Sequence, residues 1–73
     1  MTTHSKQQSY IDTLNELLKG ELMAMKIYKE TQALQGDEHV RALLQQFAAD
    51  HEEHARLLTQ RIRELGGIPE TET

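Results

Sequence analysis

Cysteine is absent from the 73 residues, and proline occurs once, at Pro69. Without cysteine the chain has no disulfides, no thiolate zinc site and no cysteine nucleophile. Only 37% of the residues are hydrophobic, so a monomer of this length would bury little apolar surface relative to the entropy lost on ordering. We therefore expect one small domain that is stabilised by self-association or by a metal ion bound through histidine and carboxylate.

Positive charge and long apolar runs are also scarce. The formal net charge is -4 at pH 7, and the lysines and arginines are scattered among the acids, which leaves no basic stripe of the kind that binds phosphates. No apolar run is long enough to span a bilayer, and residues 1–10 have no apolar core of a signal peptide. We expect a soluble, cytoplasmic protein with no nucleic-acid or membrane partner.

Capping residues predict where the first helix begins and ends. Ser9 and Asp12 indicate a helix start, because a serine side chain caps free backbone N–H groups and an early acid complements the helix dipole. The predicted helix covers residues 10–34. Gly36 suits the left-handed position after a helix end, and Asp37 suits the N-cap of the next helix. A connection this short predicts antiparallel neighbours.

A second helix is predicted over residues 38–65, because Gly66, Gly67 and Pro69 form a strong stop signal. Residues 1–8 and 70–73 are polar and lack hydrophobic periodicity, so we expect a disordered tail on each side of a hairpin over residues 9–69. The expected fold is all-α, an antiparallel two-helix hairpin.

Each predicted helix carries an apolar face that polar residues interrupt near its middle. At about 100° per residue, the first face contains Tyr10, Leu14, Leu17, Leu18, Glu21, Ala24, Met25, Tyr28 and Gln32. The second contains Leu43, Phe47, Asp50, His51, His54, Leu57, Leu58, Arg61 and Leu65, with Leu44 and Ile62 at its borders. These faces are wider than one helix pair requires, so we expect two hairpins to form a symmetric four-helix bundle.

Glu21, His51 and His54 form the candidate metal site. Glu21 and His51 are each fifteen residues from Gly36, so the hairpin places them opposite one another, and His54 follows one turn later. Ionisable groups in an apolar interface are unfavourable unless they are paired or bound to a metal. Asp50, on the same face, is a further candidate ligand or a group that orients an imidazole. The alternative is a Glu–His ion pair that fixes register and binds nothing.

Tyr28 lies two turns from Glu21 on the same face. We expect its ring to fill the core with the hydroxyl at the edge. The alternative is that its hydroxyl donates a hydrogen bond to a metal ligand, or that it is a redox-active neighbour of the site.

Residues 14–69 resemble the first two helices of bacterioferritin and the wider ferritin-like, rubrerythrin-like group. The similar stretches are Leu-Asn-Glu-Leu-Leu-Lys-Gly-Glu-Leu at 14–22, Tyr28, Asp-His-Glu-Glu-His-Ala at 50–55 and Arg-Ile-Arg-Glu-Leu-Gly-Gly-Ile-Pro at 61–69. In that family the first helix carries a metal-binding Glu with a Tyr seven residues later, and the second carries Glu-x-x-His-Ala. Glu21, Tyr28 and His54 match this pattern. The resemblance implies a ferritin-like bundle, bound iron and ferroxidase-like oxidation of Fe(II).

The chain departs from the family at His51, which stands where the family has a bridging Glu. Two copies of Glu21 supply fewer negative charges than a four-carboxylate di-iron site. Imidazole-rich ligation also suits zinc, cobalt, nickel or copper. With two helices rather than four, the chain is similar in layout to the short encapsulated ferritins, which build their iron site across a dimer interface. This resemblance implies an encapsulin shell as a partner, although no targeting peptide is evident after Pro69.

From these observations we expect a homodimer or larger homo-oligomer that binds a metal, iron first, through Glu21, His51 and His54. Asp50 is the additional candidate ligand, and Tyr28 is expected beside the site. The alternative function is a non-catalytic structural or interaction module whose Glu and His layer only fixes the register of the helices.

Overall fold

A computed structural model describes residues 6–71, which contain two helices and no strand. Helix α1 spans Lys6–Leu34, helix α2 spans Glu38–Glu64, and residues 35–37 connect them. Gln7 contacts Leu65 at one end of the hairpin, whereas Tyr28 contacts Phe47 near the turn, so the helices run antiparallel. The predicted all-α hairpin is confirmed. Neither helix of residues 6–71 has the length and apolar character needed to cross a membrane.

Local signals define both ends of α2. Asp37 is its N-cap, with an extended backbone (φ -88°, ψ 120°), and Asp37 Oδ1 accepts the N–H groups of His39 and Val40 at 2.8 and 3.2 Å. An acid stands in the first turn and two arginines stand in the last, which complements the helix dipole. The predicted N-cap is confirmed, and α2 ends one residue before the predicted end.

The turn does not use the backbone conformation that the sequence predicts. Gly36 is not left-handed, because among residues 6–71 only Gly66 has a positive φ, of 83°. Instead, the N–H of Gln35 donates to the carbonyl of Gln32 at 3.2 Å, and Gln35 Oε1 accepts the N–H of Asp37 at 3.1 Å. These two hydrogen bonds satisfy backbone groups that the end of α1 and the turn leave free. A left-handed residue is therefore not needed to end the helix.

A pair of glycines ends α2. The N–H of Gly67 donates to the carbonyl of Ile62 at 2.9 Å, and the N–H of Gly66 donates to that of Arg63 at 3.0 Å, which is the Schellman arrangement. Gly67 also makes a close approach, because a Cβ atom there would lie 2.7 Å from Cγ2 of Ile11. The predicted stop signal is confirmed, and its two glycines serve different purposes.

Helix α1 begins earlier than predicted. Lys6 is its first residue, so the predicted cap at Ser9 is wrong, and the Ser9 carbonyl accepts the Thr13 hydroxyl at 3.1 Å inside the helix. Gln7 Nε2 donates to the carbonyl of Leu65 at 2.6 Å, which ties the first turn of α1 to the end of α2. Residues 6–8 of the expected N-terminal tail are therefore helical, and residues 1–5 lie outside the described residues.

The segment after α2 folds back against α1. Asn15 Nδ2 donates to the carbonyl of Ile68 at 3.0 Å, and Asn15 Oδ1 accepts the N–H of Glu70 at 2.9 Å. Glu70, the first residue of the expected C-terminal tail, is thus anchored on α1. Residues 72–73 of that tail lie outside the described part of the chain.

The core lies along the contact between the helices. Its buried residues are Ile11, Leu14, Leu18, Ala48, Ala55 and Ile62. Leu18 and Ile62 are fully enclosed at 0% exposure, and the small side chains of Ala48 and Ala55 are buried as well. Leu22, Met25, Leu58 and Leu65 pack around this centre. The core therefore uses one edge of each predicted apolar face and extends beyond it to Ile11, Ala48 and Ala55, which the predicted faces do not include.

The edge of each apolar face that does not pack in the core is exposed. This agrees with the prediction that one helix–helix contact cannot cover faces of this width. We call this surface the open face, and its large apolar residues are Tyr10 (46% exposed), Leu17 (54%), Leu43 (56%) and Phe47 (43%). At about 100° per residue they lie beside the buried positions, on one side of the hairpin. On this side the ring of Tyr28 on α1 packs against the ring of Phe47 on α2.

Candidate metal centre

Glu21 and His51 face each other at the middle of the hairpin. Nδ1 of His51 lies 2.5 Å from Oε1 of Glu21, a hydrogen bond between α1 and α2. The two residues stand at equal sequence distances from Gly36, and because the turn is tight, that spacing brings them to the same level. The expected apposition of this carboxylate and imidazole is present in the structure.

His54 approaches the same carboxylate oxygen. Its Nδ1 atom lies 3.5 Å from Oε1 of Glu21. The rings of His51 and His54, one turn apart on α2, meet edge to face with centroids 5.9 Å apart. One potential ligand atom from each of the three residues lies within 4.8 Å of the other two. All three residues belong to one chain, so a single hairpin assembles the whole cluster.

The cluster is partly open to solvent in the single hairpin. The side chains of Glu21, His51 and His54 are 23%, 30% and 55% exposed. A single hairpin therefore leaves the cluster partly exposed, beside the open face rather than inside the core. His54 opens toward the same side of the hairpin as the open face.

The three donor atoms lie near the spacing of ligands on one transition-metal ion, and the pairs differ in how far they depart from it. Two ligands bound at about 2.1 Å in a tetrahedral arrangement lie about 3.4 Å apart. The separation of Glu21 and His54, 3.5 Å, already has this value. The Glu21–His51 pair, at 2.5 Å, would widen by about 1 Å as an ion replaced the hydrogen-bonded proton. One carboxylate and two imidazoles are ligands that iron, zinc, cobalt, nickel and copper all accept.

Asp50 does not join the cluster. The group of potential ligands in residues 6–71 consists of Glu21, His51 and His54, and Asp50 Oδ1 instead accepts a hydrogen bond from Gln46 Nε2 at 2.9 Å. Asp50 is exposed, and Gln46 lies one turn before it on α2. Helical spacing places Asp50 near the face of the two histidines, but it does not show that Gln46 binds the Asp50 carboxylate.

Tyr28 contacts the site through its ring. It stacks on His51 with centroids 5.4 Å apart and an angle of 14° between the planes. Phe47 packs on Tyr28 with centroids 5.5 Å apart and an interplanar angle of 57°. The predicted proximity of Tyr28 to the site is present, whereas Phe47 was recognised only as an apolar residue. Its position one turn before His51 on the same helix is the sequence signal that links it to the site.

Surface ion pairs flank the cluster without entering it. Arg56 donates two hydrogen bonds to Glu53, at 3.0 and 2.7 Å. The bond from Arg56 holds the pKa of Glu53 below its usual value and raises the pKa of Arg56. The pKa of Arg61 is raised by its hydrogen bond with Tyr10 and, next, by its bond with Glu64. These hydrogen bonds use no ligand atom of the cluster, although the charge of His54 is a smaller cause of the lowered pKa of Glu53.

Comparison with known proteins places the chain in a family without assigning it an activity. No curated protein and no solved structure matches it. The ferritin-like resemblance of residues 14–69 therefore remains an expectation that rests on the motifs and the helical hairpin. A family model does match residues 9–73, nearly the whole chain, and the chain belongs to that family, described as "Domain of unknown function (DUF2383)".

Proposed function

We propose that this chain is a ferritin-like protein that binds a transition metal, preferentially iron, through Glu21, His51 and His54. The observation that carries the proposal is the convergence of three ligand atoms within 4.8 Å, contributed by two helices. The facing carboxylate makes the His-x-x-His spacing more specific, because two histidines one turn apart occur by chance on many helices. The preference for iron rests on the resemblance to ferritin-like proteins, and zinc, cobalt, nickel and copper are the alternatives.

The functional unit is proposed to be a homodimer or a larger homo-oligomer, in which a second hairpin covers the open face. Tyr10, Leu17, Leu43 and Phe47 support this, because each is between 43% and 56% exposed. Exposed apolar residues that share one side of a small domain mark an interaction surface. A symmetric partner would bury these residues, complete a four-helix bundle and place the metal centre at the interface.

The proposed chemistry is ferroxidase-like. Fe(II) would be the substrate, and it would pass one electron per ion to dioxygen or peroxide and become Fe(III). The imidazoles and the carboxylate of this chain would bind and orient the ion, and the carboxylate would offset part of its positive charge. An oxidation rate in the presence of the protein equal to that in buffer would remove the catalytic part of the proposal and leave metal binding standing.

Elemental analysis and sedimentation of the same sample test the binding proposal. Purified protein is stripped with a chelator and then titrated with Fe(II) under anaerobic conditions, with Co(II) and with Zn(II). Glu21→Ala and His54→Ala are each expected to abolish uptake while the dimer persists. His39→Ala, which removes an exposed histidine elsewhere on α2, should leave uptake unchanged. No metal after purification and no binding in any titration would refute the proposal.

A second candidate function is a structural or interaction module. The 2.5 Å hydrogen bond between Glu21 and His51 favours it, because such a pair by itself holds the two helices in register. Glu21→Leu separates the candidates. If it raises thermal stability and the wild-type protein takes up no metal, the module is supported. If the wild-type protein binds metal and Glu21→Leu loses that binding, the metal-binding proposal is supported.

A further inference from the structure

We infer that each chain binds a single metal ion entirely through its own Glu21, His51 and His54, and that the ion keeps open positions for a small anion. This inference rests on the proposed metal binding and adds to it the number of ions, the origin of the ligands and the class of external ligand. It also assigns the second hairpin the role of covering the centre rather than supplying ligands to it.

The distances place all three donors in one hairpin. Oε1 of Glu21 lies 2.5 Å from Nδ1 of His51 and 3.5 Å from Nδ1 of His54. Because one oxygen atom already reaches both imidazoles, an ion placed among them needs no ligand from another chain. A site shared between chains would have to break these contacts and rebuild them across the interface.

The types of ligand argue against two ions in one cluster. A carboxylate can bridge two ions with its two oxygens, whereas a neutral imidazole has one free nitrogen because its other nitrogen carries a proton. Glu21 is thus the only bridging ligand in the cluster, since Asp50 is bonded to Gln46 and lies outside it. Two adjacent dications held by one carboxylate would repel each other strongly.

The remaining positions on the ion would favour a small anion. Zinc takes four ligands and iron commonly takes more, so three protein ligands leave at least one position free. A dication with one carboxylate and two neutral imidazoles also retains a net positive charge. His54 is the most exposed ligand at 55%, so the free positions are accessible from its side of the hairpin. A second hairpin over the open face would narrow this access, so we expect the external ligand to be small, as hydroxide and azide are.

Cobalt(II) is the probe for the number of ions, because its visible spectrum reports the number and type of ligands. Titration of the metal-free protein is expected to saturate at one Co(II) per chain. Addition of sodium azide to the loaded protein should then change the visible bands in a saturable manner. Saturation at two ions per chain or at one ion per dimer, or a spectrum that azide does not change, would overturn the inference.

A mixing experiment tests whether the ligands come from one chain. Glu21→Ala and His54→Ala chains are unfolded and refolded together, and native mass spectrometry verifies that mixed dimers form. Ligands from one chain predict no recovery of Co(II) binding in the mixture. Ligands shared between chains would rebuild one site in each mixed dimer, recovering about a quarter of the wild-type capacity in a random mixture. If the protein sediments as a monomer that binds one Co(II), the single-chain site is supported directly.

These results are distinguishable from failure of the proposed function. Wild-type protein that binds no Co(II), Zn(II) or Fe(II) would refute metal binding as a whole. Wild-type protein that binds Co(II), with recovery in the mixed dimers, would refute only the single-chain centre. Circular dichroism of each variant shows whether lost binding reflects a lost ligand or a lost fold, and His39→Ala is the control for removal of an exposed imidazole.

Discussion

The ring of Tyr28 stacks nearly parallel to the ring of His51, with centroids 5.4 Å apart and planes inclined by 14°. Phe47 supports Tyr28 from the side, with centroids 5.5 Å apart. The two aromatic rings thus limit the rotation of one imidazole of the candidate centre, whose Nδ1 is directed at Glu21. Restricted rotation of this kind prepares a ligand for binding, because less side-chain freedom is lost when the ion binds.

Replacing Tyr28 with leucine is therefore expected to weaken metal binding without unfolding the hairpin. Ring pairs contribute about 0.5–1.5 kcal/mol beyond their buried area, so the dissociation constant for Co(II) should rise about 2- to 10-fold. Tyr28→Phe keeps the ring and should bind like the wild type. Equal weakening in both variants would show that the hydroxyl, rather than the stacked ring, supports the site.

The neighbouring residues Leu17 and Leu18 provide a matched test of the core and the open face. Leu18 is 0% exposed in the hairpin, whereas Leu17 is 54% exposed. Leu18→Ala should lower the free energy of unfolding by about 2–5 kcal/mol, because it leaves a cavity between the helices. Urea denaturation measures this loss. Wild type and variant are compared at the same protein concentration, because the stability of a dimer depends on concentration.

Leu17→Ala is expected to act on self-association instead. If a second hairpin covers the open face, the smaller side chain should raise the dimer dissociation constant about tenfold or more, since two copies of Leu17 lose their contacts. Sedimentation over a range of concentrations measures this constant. An unchanged constant in Leu17→Ala, together with an unchanged constant in Phe47→Ala, would exclude the open face as the interface.

The parts of the molecule that were correctly predicted depend on local chemistry. Asp37 caps α2 through its own side chain, and Gly66 and Gly67 end that helix through backbone bonds within six residues. The apposition of Glu21 and His51 follows from equal spacing about a tight turn. Such features need only neighbouring residues and the antiparallel arrangement, both of which the sequence contains.

The features that were missed depend on contacts between distant residues. The early start of α1 at Lys6 is accompanied by the bond from Gln7 to Leu65, and Asn15 holds the chain near Ile68. Helical periodicity identified broad apolar faces, but it did not show which edge of each face packs in the hairpin. At the packed edge Ile11 lies close to Gly67, a contact between distant residues that no periodic pattern encodes.

Gly67 and Gly20 should respond oppositely to replacement by alanine. A Cβ atom at Gly67 would lie 2.7 Å from Cγ2 of Ile11 and 3.1 Å from Cγ2 of Ile62, so Gly67→Ala forces the end of α2 away from α1 and lowers the melting temperature. At Gly20 nothing lies within 4 Å of the added atom, and alanine should stabilise the helix by about 1 kcal/mol. Thermal melts of the two variants measure both effects, and a Gly67→Ala melt equal to wild type would contradict the close packing.

Asn15 is expected to anchor the segment that follows α2. Its amide donates to Ile68 and accepts from Glu70, so Asn15→Ala removes two hydrogen bonds of about 0.5–1.5 kcal/mol each. Asn15→Asp keeps the acceptor for Glu70 and loses the donor to Ile68, and its effect should be smaller. Hydrogen exchange at the Glu70 amide distinguishes the two variants. Exchange should be faster in Asn15→Ala than in the wild type, and slower in Asn15→Asp than in Asn15→Ala, because Asp keeps the acceptor. Equal exchange in both variants would indicate that this bond gives no protection.

The pair of Glu53 and Arg56 gives the hairpin a small dependence of stability on pH. Because the bond from Arg56 lowers the pKa of Glu53 in the folded chain, the ionised carboxylate stabilises the fold at pH values above its ordinary pKa of 4.5. This contribution is lost as the pH falls below 4.5 through the lowered pKa of the folded state. Glu53→Gln has no charge to lose, so the wild-type melting temperature should exceed that of the variant at pH 7 and converge with it at low pH. The difference should be small and should shrink in high salt, since the pair is on the surface. A difference that persists unchanged at low pH would assign the effect to helix propensity rather than to the ion pair.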